Sequence, residues 1–154
     1  LDGRLELAQA ATMAGIAFSN SMVGVVHALG HCVGARCGLP HGVCMGVLLP
    51  FAQAHNLEAR RAEIGELLLP LTDADTFAAT PAATRAEAAI ARIQELKAEA
   101  HELAGFPRTL SETGKVKRED LPHIADKAID DGALLMNPVE VTRDEALAIL
   151  EAAY

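Results

Sequence analysis

The middle of a long uncharged region reads Gly24-Val25-Val26-His27-Ala28-Leu29-Gly30-His31. Between Leu7 and Leu57 the only Asp, Glu, Lys or Arg is Arg36, whereas the rest of the chain is densely charged. A helix that is apolar on every face belongs at the centre of a larger body, so we expect this region to be buried nearly all round. Because the rest of the chain can hardly enclose it, we expect another domain or subunit to cover part of it.

The composition favours a single helical domain. A chain of 154 residues is long enough to form one domain, residues 1–154, with a core of its own. Hydrophobic residues make up 51% of the chain, aromatic residues only 3%, and Trp is absent. A core built from Ala, Leu, Ile, Val and Met favours closely packed helices over a β-sandwich. We therefore predict an all-α helical bundle.

The net charge limits the possible binding partners, and the cysteine count indicates the redox state of the compartment. A formal net charge of -8 argues against binding to nucleic acids or to anionic membranes. No apolar run is long enough to span a membrane. The three cysteines, Cys32, Cys37 and Cys44, leave at least one thiol unpaired, which fits a reducing compartment. We therefore predict a soluble cytoplasmic protein. The cysteine spacing does not match a zinc finger or ribbon, so we interpret these thiols as small buried hydrophobes.

Periodicity and helix-ending residues predict the helices. The first helix is predicted over residues 5–18 and the second over residues 23–37. The third is predicted to begin near His41, and Pro50 should kink or end it. Later helices are predicted over residues 81–103, 119–130 and 142–153, with loops over 70–77 and 107–117. Two capping boxes are predicted, Thr84 with Glu87 and Thr142 with Glu145. Glycines recur every four residues and favour close helix packing: Gly30 and Gly34, then Gly38, Gly42 and Gly46.

Three of the six histidines are candidates for chemistry. His27 and His31 are four residues apart, so on a helix their side chains differ by about 40° in direction and about 6 Å in height. His41 follows a Gly-Leu-Pro turn and would enter the same space from the next helix. Converging imidazoles suit a divalent metal or a proton relay. The alternative is that each one caps a helix or satisfies a buried hydrogen bond.

Two further observations limit this histidine site. No Asp or Glu lies between residues 7 and 57, so a carboxylate ligand would have to come from elsewhere. His55, His101 and His123 lie in charged, helical surroundings, and we interpret them as surface or helix-end residues. They are therefore not expected at the site.

These motifs carry a family resemblance. The stretch 24–31, followed by Gly38-Leu39-Pro40-His41-Gly42-Val43 and Leu48-Leu49-Pro50, resembles the signature of iron-containing (group III) alcohol dehydrogenases. The step of 14 residues from His27 to His41 also agrees. The C-terminal pattern of the same family is resembled downstream by Arg118-Glu119-Asp120-Leu121, by Ala128 with Asp130 and Asp131, and by Asn137-Pro138 followed by Thr142. The likeness covers essentially the whole chain.

The resemblance implies a two-domain enzyme. An N-terminal Rossmann-like domain would bind NAD or NADP, and a C-terminal helical domain, similar to that of dehydroquinate synthase, would carry the metal. This chain resembles the helical domain. In the family one Asp and three His bind a divalent metal, usually Fe(II) and sometimes Zn. His27 and His41 match the last two ligands, and the first two are expected before Leu1. His31 matches a non-ligand catalytic histidine near the nicotinamide and substrate, whereas Val139 replaces a family Arg.

Two functions from different classes follow. The resemblance implies half of a metal-dependent, NAD(P)-linked alcohol dehydrogenase that interconverts small alcohols with aldehydes or ketones. Such a half is expected to be inactive without the nucleotide-binding domain and to belong to a homo-oligomer. The alternative is a catalytically silent assembly module that uses the uncharged region, residues 7–57, to bind itself or a partner.

Overall fold

The computed structural model describes all residues from 1 to 154 and contains only helices, which confirms the all-α prediction. Four 3-10 turns join or precede the α-helices, at Ala82–Thr84, Ser111–Thr113, Arg118–Asp120 and Gly132–Met136. The nine α-helices, in chain order, are α1 (Asp2–Ser21), α2 (Val25–Cys37), α3 (His41–Asn56), α4 (Arg61–Glu66), α5 (Leu68–Leu71), α6 (Ala74–Ala79), α7 (Arg85–Ala104), α8 (Leu121–Ala128) and α9 (Arg143–Ala152).

The main core lies between helices α2, α3, α8 and α9. Its fully buried side chains include Leu29 of α2, Leu48 of α3, Ile124 of α8 and Leu150 of α9. A smaller second cluster joins α4 and α5 to α7 around Ile64. Burying a Leu or Ile side chain contributes about 1.5–3 kcal/mol, so the first cluster holds α2 and α3 firmly in place. These two helices carry the candidate histidines.

Gly30 of α2 lies against Met45 of α3, and Gly46 of α3 lies against Phe106, which follows α7. A Cβ at Gly30 would lie 1.9 Å from Cε of Met45, and one at Gly46 would lie 2.7 Å from Cζ of Phe106. Close packing is therefore confirmed at these positions. Gly42 has open space around it, and Gly38 adopts φ 65°, where it ends α2 in the left-handed region. The four-residue repeat thus combines packing glycines with a helix-ending glycine.

Pro50 does not end the third helix. Helix α3 continues from His41 to Asn56 with Pro50 inside it. Proline removes one backbone donor, which here would have bonded the carbonyl of Gly46. Buried side chains on both sides of the proline, Leu48 and Ala52, pack into the main core and stabilise the continuation.

Residues 70–77 are mostly helical, so the predicted loop is wrong. They contribute to α5 and α6, and α6 begins at a cap that the prediction overlooked. Oδ1 of Asp73 accepts hydrogen bonds from the backbone N–H groups of Asp75 and Thr76, at 2.9 and 2.8 Å. The loop predicted over 107–117 is confirmed apart from one 3-10 turn.

One of the two predicted capping boxes forms. Thr142 and Glu145 bond reciprocally at the start of α9, as predicted. The box at Thr84 does not form, because the Thr84 hydroxyl donates to the carbonyl of Pro81 and the Glu87 carboxylate pairs with Arg61.

Helix α1 is the part of the uncharged region that this chain leaves uncovered. No residue of α1 is buried, and the large apolar side chains of Leu7, Met13 and Ile16 are 71%, 70% and 62% exposed. Much of α2 and α3 is buried in the main core, whereas α1 has no surface of this chain to pack against. The expectation that another domain or subunit covers part of the region therefore applies to α1. No single helix is long and apolar enough to cross a membrane, although α1 and α2 together satisfy length and composition despite a bend of 111° between them.

Candidate metal centre

Three imidazole rings from two helices face one another. The ring centroids of His27 and His41 are 5.3 Å apart, those of His27 and His31 are 5.7 Å apart, and those of His31 and His41 are 5.8 Å apart. The predicted convergence of His27, His31 and His41 therefore occurs. The one-turn spacing along α2 brings His27 and His31 together, and the tight turn after α2 brings His41 opposite them.

The start of α2, which carries His27, is fixed by a distant asparagine. The side-chain Oδ1 of Asn137 accepts a hydrogen bond from the backbone N–H of Val25 at 3.0 Å. The same amide exchanges two hydrogen bonds with Asn56 of α3, at 3.1 and 3.0 Å, and donates to the carbonyl of Val139 at 2.7 Å. Asn137 thus ties α2, α3 and the segment before α9 together. Sequence reasoning noted Asn137 only as part of the family resemblance.

The turn between α2 and α3 places His41. Gly38 ends α2 with a hydrogen bond from its N–H to the carbonyl of Gly34 at 2.9 Å. The ammonium group of Lys115 donates to the carbonyl of Gly38 at 2.9 Å. Pro40, with φ -58°, precedes α3, so His41 is its first residue and lies across from α2. The Gly-Leu-Pro sequence therefore sets the position of the second helix's histidine.

A cavity of about 400 Å³ adjoins the three rings. Besides the histidines, it is lined by Phe18, Ser19, Met22 and Val23 at the end of α1 and the link to α2. The lining is mainly apolar apart from the imidazoles and one hydroxyl. Such a cavity suits a small ligand that has one polar group and an apolar remainder.

The electrostatics favour a neutral His27. This ring is half-buried, whereas His31 and His41 are exposed. Burial lowers the pKa of His27, the neighbouring His41 and His31 lower it further, and only Asp131 acts in the opposite direction. A neutral imidazole has the free lone pair that metal binding requires.

A carboxylate pairs with the third histidine. Nδ1 of His31 lies 3.0 Å from Oδ2 of Asp131, which follows α8 and caps the 3-10 turn at Gly132–Met136. Asp131 lies outside residues 7–57, but its contact is with His31, so the expectation about a carboxylate metal ligand stays a prediction. Asp131 was noted in the sequence only for its family resemblance, because nothing in the spacing connects two residues 100 positions apart.

The donor set fits part of a metal coordination sphere. No group of three His, Cys, Asp or Glu side chains converges closely enough to hold a metal ion by itself. His27 and His41 offer two imidazoles from adjacent helices, which is half of a tetrahedral set. The resemblance implies that two such imidazoles would be joined by further ligands.

The remaining histidines lie away from this cluster. His123 is exposed on α8, and His101 lies at the end of α7, where its Nδ1 is 2.9 Å from the carbonyl oxygen of Phe106. Both agree with the predicted surface or helix-end positions. His55 lies in the last turn of α3, which is a helix end as predicted, and its Nε2 atom is buried without a hydrogen-bond partner.

The three cysteines are free thiols. Cys44 lies in the main core, which agrees with its interpretation as a small buried hydrophobe, and Cys32 and Cys37 are half-buried beside that core. Val139, which departs from the family pattern, is half-buried, and the hydrogen bond it accepts at its carbonyl depends on no particular side chain.

Comparisons with known proteins agree with the resemblance. The sequence pattern of the Fe-containing alcohol dehydrogenase family, C-terminal part, matches residues 1–154. Alcohol dehydrogenase 4 of Saccharomyces cerevisiae is 37% identical over 153 residues, which are 98% of this chain and 37% of that protein. 1,3-Propanediol dehydrogenase of Klebsiella pneumoniae is 35% identical over 157 residues, with coverage of 100% and 38%.

The fold agrees as well. The crystal structure of a 1,3-propanediol oxidoreductase superposes with a TM-score of 0.82 at 34% identity, over 92% of this chain and 35% of the other. This chain thus spans little more than a third of the length of these relatives. The family match over residues 1–154 and the identities above 30% show the family, and the superposition shows the same all-helical fold. The chain belongs to the iron-containing alcohol dehydrogenase family and corresponds to its C-terminal part.

Proposed function

We propose that this chain supplies the metal-binding, substrate-facing half of a metal-dependent, NAD(P)-linked alcohol dehydrogenase. The observation that carries the proposal is the convergence of three imidazoles, from α2 and α3, on one small cavity. Family membership supports an oxidoreductase that acts on alcohols or aldehydes.

His27 and His41 would hold the metal, with Fe(II) as the first choice and Zn²⁺ as the alternative. Both are imidazoles from adjacent helices, and burial helps to keep His27 neutral. When bound, the metal would act as a Lewis acid that polarises the substrate oxygen. Because two imidazoles alone should hold Fe(II) loosely, the remaining ligands are expected from residues outside this chain.

The chain's own residues would bind the substrate and handle its proton. Phe18, Met22 and Val23 give the cavity an apolar wall that suits the carbon chain of a small alcohol or aldehyde. In alcohol oxidation the substrate loses a hydride to the nicotinamide of NAD or NADP and loses its hydroxyl proton. His31 lines the cavity and is not one of the proposed metal ligands, so it would accept that proton.

The proposal includes partners. Because the chain spans about 37% of its relatives' length, nucleotide binding is assigned to an N-terminal domain outside this chain. The chain alone is therefore expected to be inactive. The exposed apolar side chains of α1 support contact with that domain or with another subunit, and we propose a homo-oligomeric, cytoplasmic enzyme.

The test is reconstitution. The chain would be produced with and without the N-terminal half of a related enzyme, and bound iron and zinc and NAD(P)-linked oxidation of ethanol or butanol would be measured. We expect activity and about one metal per assembled pair. His27→Ala and His41→Ala should abolish both, whereas His123→Ala, on an exposed face of α8, should change neither. A folded reconstituted pair with neither metal nor activity would overturn the proposal.

An assembly module is the second candidate. Helix α1 favours it, since none of its 20 residues is buried and its apolar side chains have no partner in this chain. Self-association and binding of an apolar dye are expected under either function. Only the dehydrogenase proposal predicts that the N-terminal half of a related enzyme restores oxidation of alcohols.

A further inference from the structure

The pair formed by His31 and Asp131 joins two distant parts of the fold. Nδ1 of His31 lies 3.0 Å from Oδ2 of Asp131, and the second oxygen of this carboxylate accepts the backbone N–H of Ala133 at 2.8 Å. The Asp131 side chain is only 22% exposed, whereas that of His31 is 43% exposed. The carboxylate is thus anchored on its own 3-10 turn while the imidazole reaches it from α2.

The pair defines which ring nitrogen of His31 carries the proton. A carboxylate can only accept hydrogen bonds, so the hydrogen must lie on Nδ1 of His31. The other nitrogen, Nε2, makes no hydrogen bond within the chain, and His31 lines the cavity that Asp131 does not reach. A neutral imidazole with its hydrogen on Nδ1 has its free lone pair on Nε2.

We propose that Asp131 is the positioning residue for His31: it holds the ring with the hydrogen on Nδ1 and thereby keeps Nε2 available as the proton acceptor. This proposal rests on the proposed function, since it assigns how His31 is prepared for the substrate's proton. Asp131 does not line the cavity, and among the three histidines it makes its hydrogen bond to His31.

The substitution Asp131→Asn distinguishes this role from a structural one. An asparagine has one acceptor oxygen and one NH₂ donor. The Ala133 N–H requires the oxygen, so the NH₂ group would face Nδ1 of His31 and would move the imidazole hydrogen to Nε2. The cap of the 3-10 turn is preserved in this variant, whereas Asp131→Ala would lose both contacts. Asp130→Asn is the matched control, because the side chain of Asp130 makes no hydrogen bond.

The first measurement is the tautomer of His31 by NMR of the chain with ¹⁵N-labelled histidine at pH 8, where ordinary imidazoles are neutral. We expect the hydrogen on Nδ1 in the wild type and in Asp130→Asn, and on Nε2 in Asp131→Asn. A wild-type chain with the hydrogen on Nε2, or an unchanged tautomer in folded Asp131→Asn, would overturn the proposal.

The second measurement uses the reconstituted assembly. Asp131→Asn should lower kcat by about 10²-fold or more, at the scale of lost general-base catalysis, with KM and metal content nearly unchanged. An unchanged kcat in an active assembly would also overturn the positioning role. If the wild-type assembly binds no metal and has no activity, the proposed function fails, while the tautomer result decides separately whether Asp131 controls His31.

Discussion

Oδ1 of Asn137 accepts a hydrogen bond from the backbone N–H of Val25 at 3.0 Å, across 112 positions of sequence. Val25 is the first residue of α2, and its N–H has no partner within the helix. The same asparagine bonds Asn56 near the end of α3. A single side chain therefore adds a hydrogen-bonded link between the two helices that bear the candidate histidines.

Replacement of this asparagine should be costly. Asn137→Ala leaves the Val25 N–H and the Asn56 amide without their partner in a half-buried setting, which should lower the free energy of unfolding by about 1–3 kcal/mol. Asn20→Ala is the matched control, since Asn20 is exposed and bonds only a carbonyl of its own helix. Urea unfolding followed by circular dichroism measures both. Equal stability of the two variants would contradict the role given to Asn137.

Two glycines of α3 should respond in opposite directions to alanine. In Gly46→Ala the new methyl group would overlap the ring of Phe106, which packs against the main core, so we expect a loss of about 1–3 kcal/mol. Gly42 has open space around it, and Gly42→Ala should raise stability by up to about 1 kcal/mol through helix propensity. Thermal unfolding of both variants checks the prediction, and a shift of the same sign in both would refute the packing argument.

Much of the fold follows from local sequence. The second and third helices, the long α7 and the Thr142 cap are predicted because periodicity, glycine and capping residues act over a few positions. The exposed position of α1 within this chain is not predicted by local sequence. An apolar pattern indicates that a helix needs a partner surface, but it does not indicate where that surface lies. Pro50 shows the same limit, because burial on both sides of it outweighs its local preference.

The thiols offer a direct check on the packing of α2 and α3. Burial raises the pKa of all three cysteines, and Cys44 is fully inside the main core. Because the thiolate is the reactive form, native Cys44 should resist iodoacetamide while Cys32 and Cys37 react slowly. Mass spectrometry after labelling, with and without denaturant, identifies each site. Prompt labelling of Cys44 in the folded chain would mean that the core is packed differently.

The pair of Arg108 and Glu112 predicts a pH effect with a defined sign. The Arg108 side chain, and then its backbone N–H, lower the pKa of Glu112 from 4.5 to about 2. A lowered folded-state pKa stabilises the protein above pH 4.5, and this contribution is lost as the pH falls towards 2. Because both groups are exposed, the effect on stability should be small.

NMR titration of the Glu112 carboxyl group measures this shift. Its midpoint should lie near pH 2 in the wild type and rise towards 4.5 in Arg108→Ala, which keeps only the backbone donor. A wild-type midpoint near 4.5 would show that the pair does not form.

As with the fold, some features of the candidate site can be predicted from the sequence and others cannot. The meeting of His27, His31 and His41 is predictable, because helix geometry and one tight turn relate residues that are close in sequence. The contributions of Asp131 and Asn137 depend on contacts over 100 and 112 positions, which only the folded chain brings together. Family resemblance drew attention to both residues but gave no physical role to either.

If His27 and His41 form one metal-binding pair, Zn²⁺ added to the ¹⁵N-histidine-labelled chain should bind both rings. The ring nitrogen signals of His27 and His41 should then shift together, at the same Zn²⁺ concentration, while His123 is unaffected. His27→Ala should remove the shift at His41, because one imidazole binds the ion too weakly alone. A shift at His123 before the pair, or independent shifts of His27 and His41, would contradict the account.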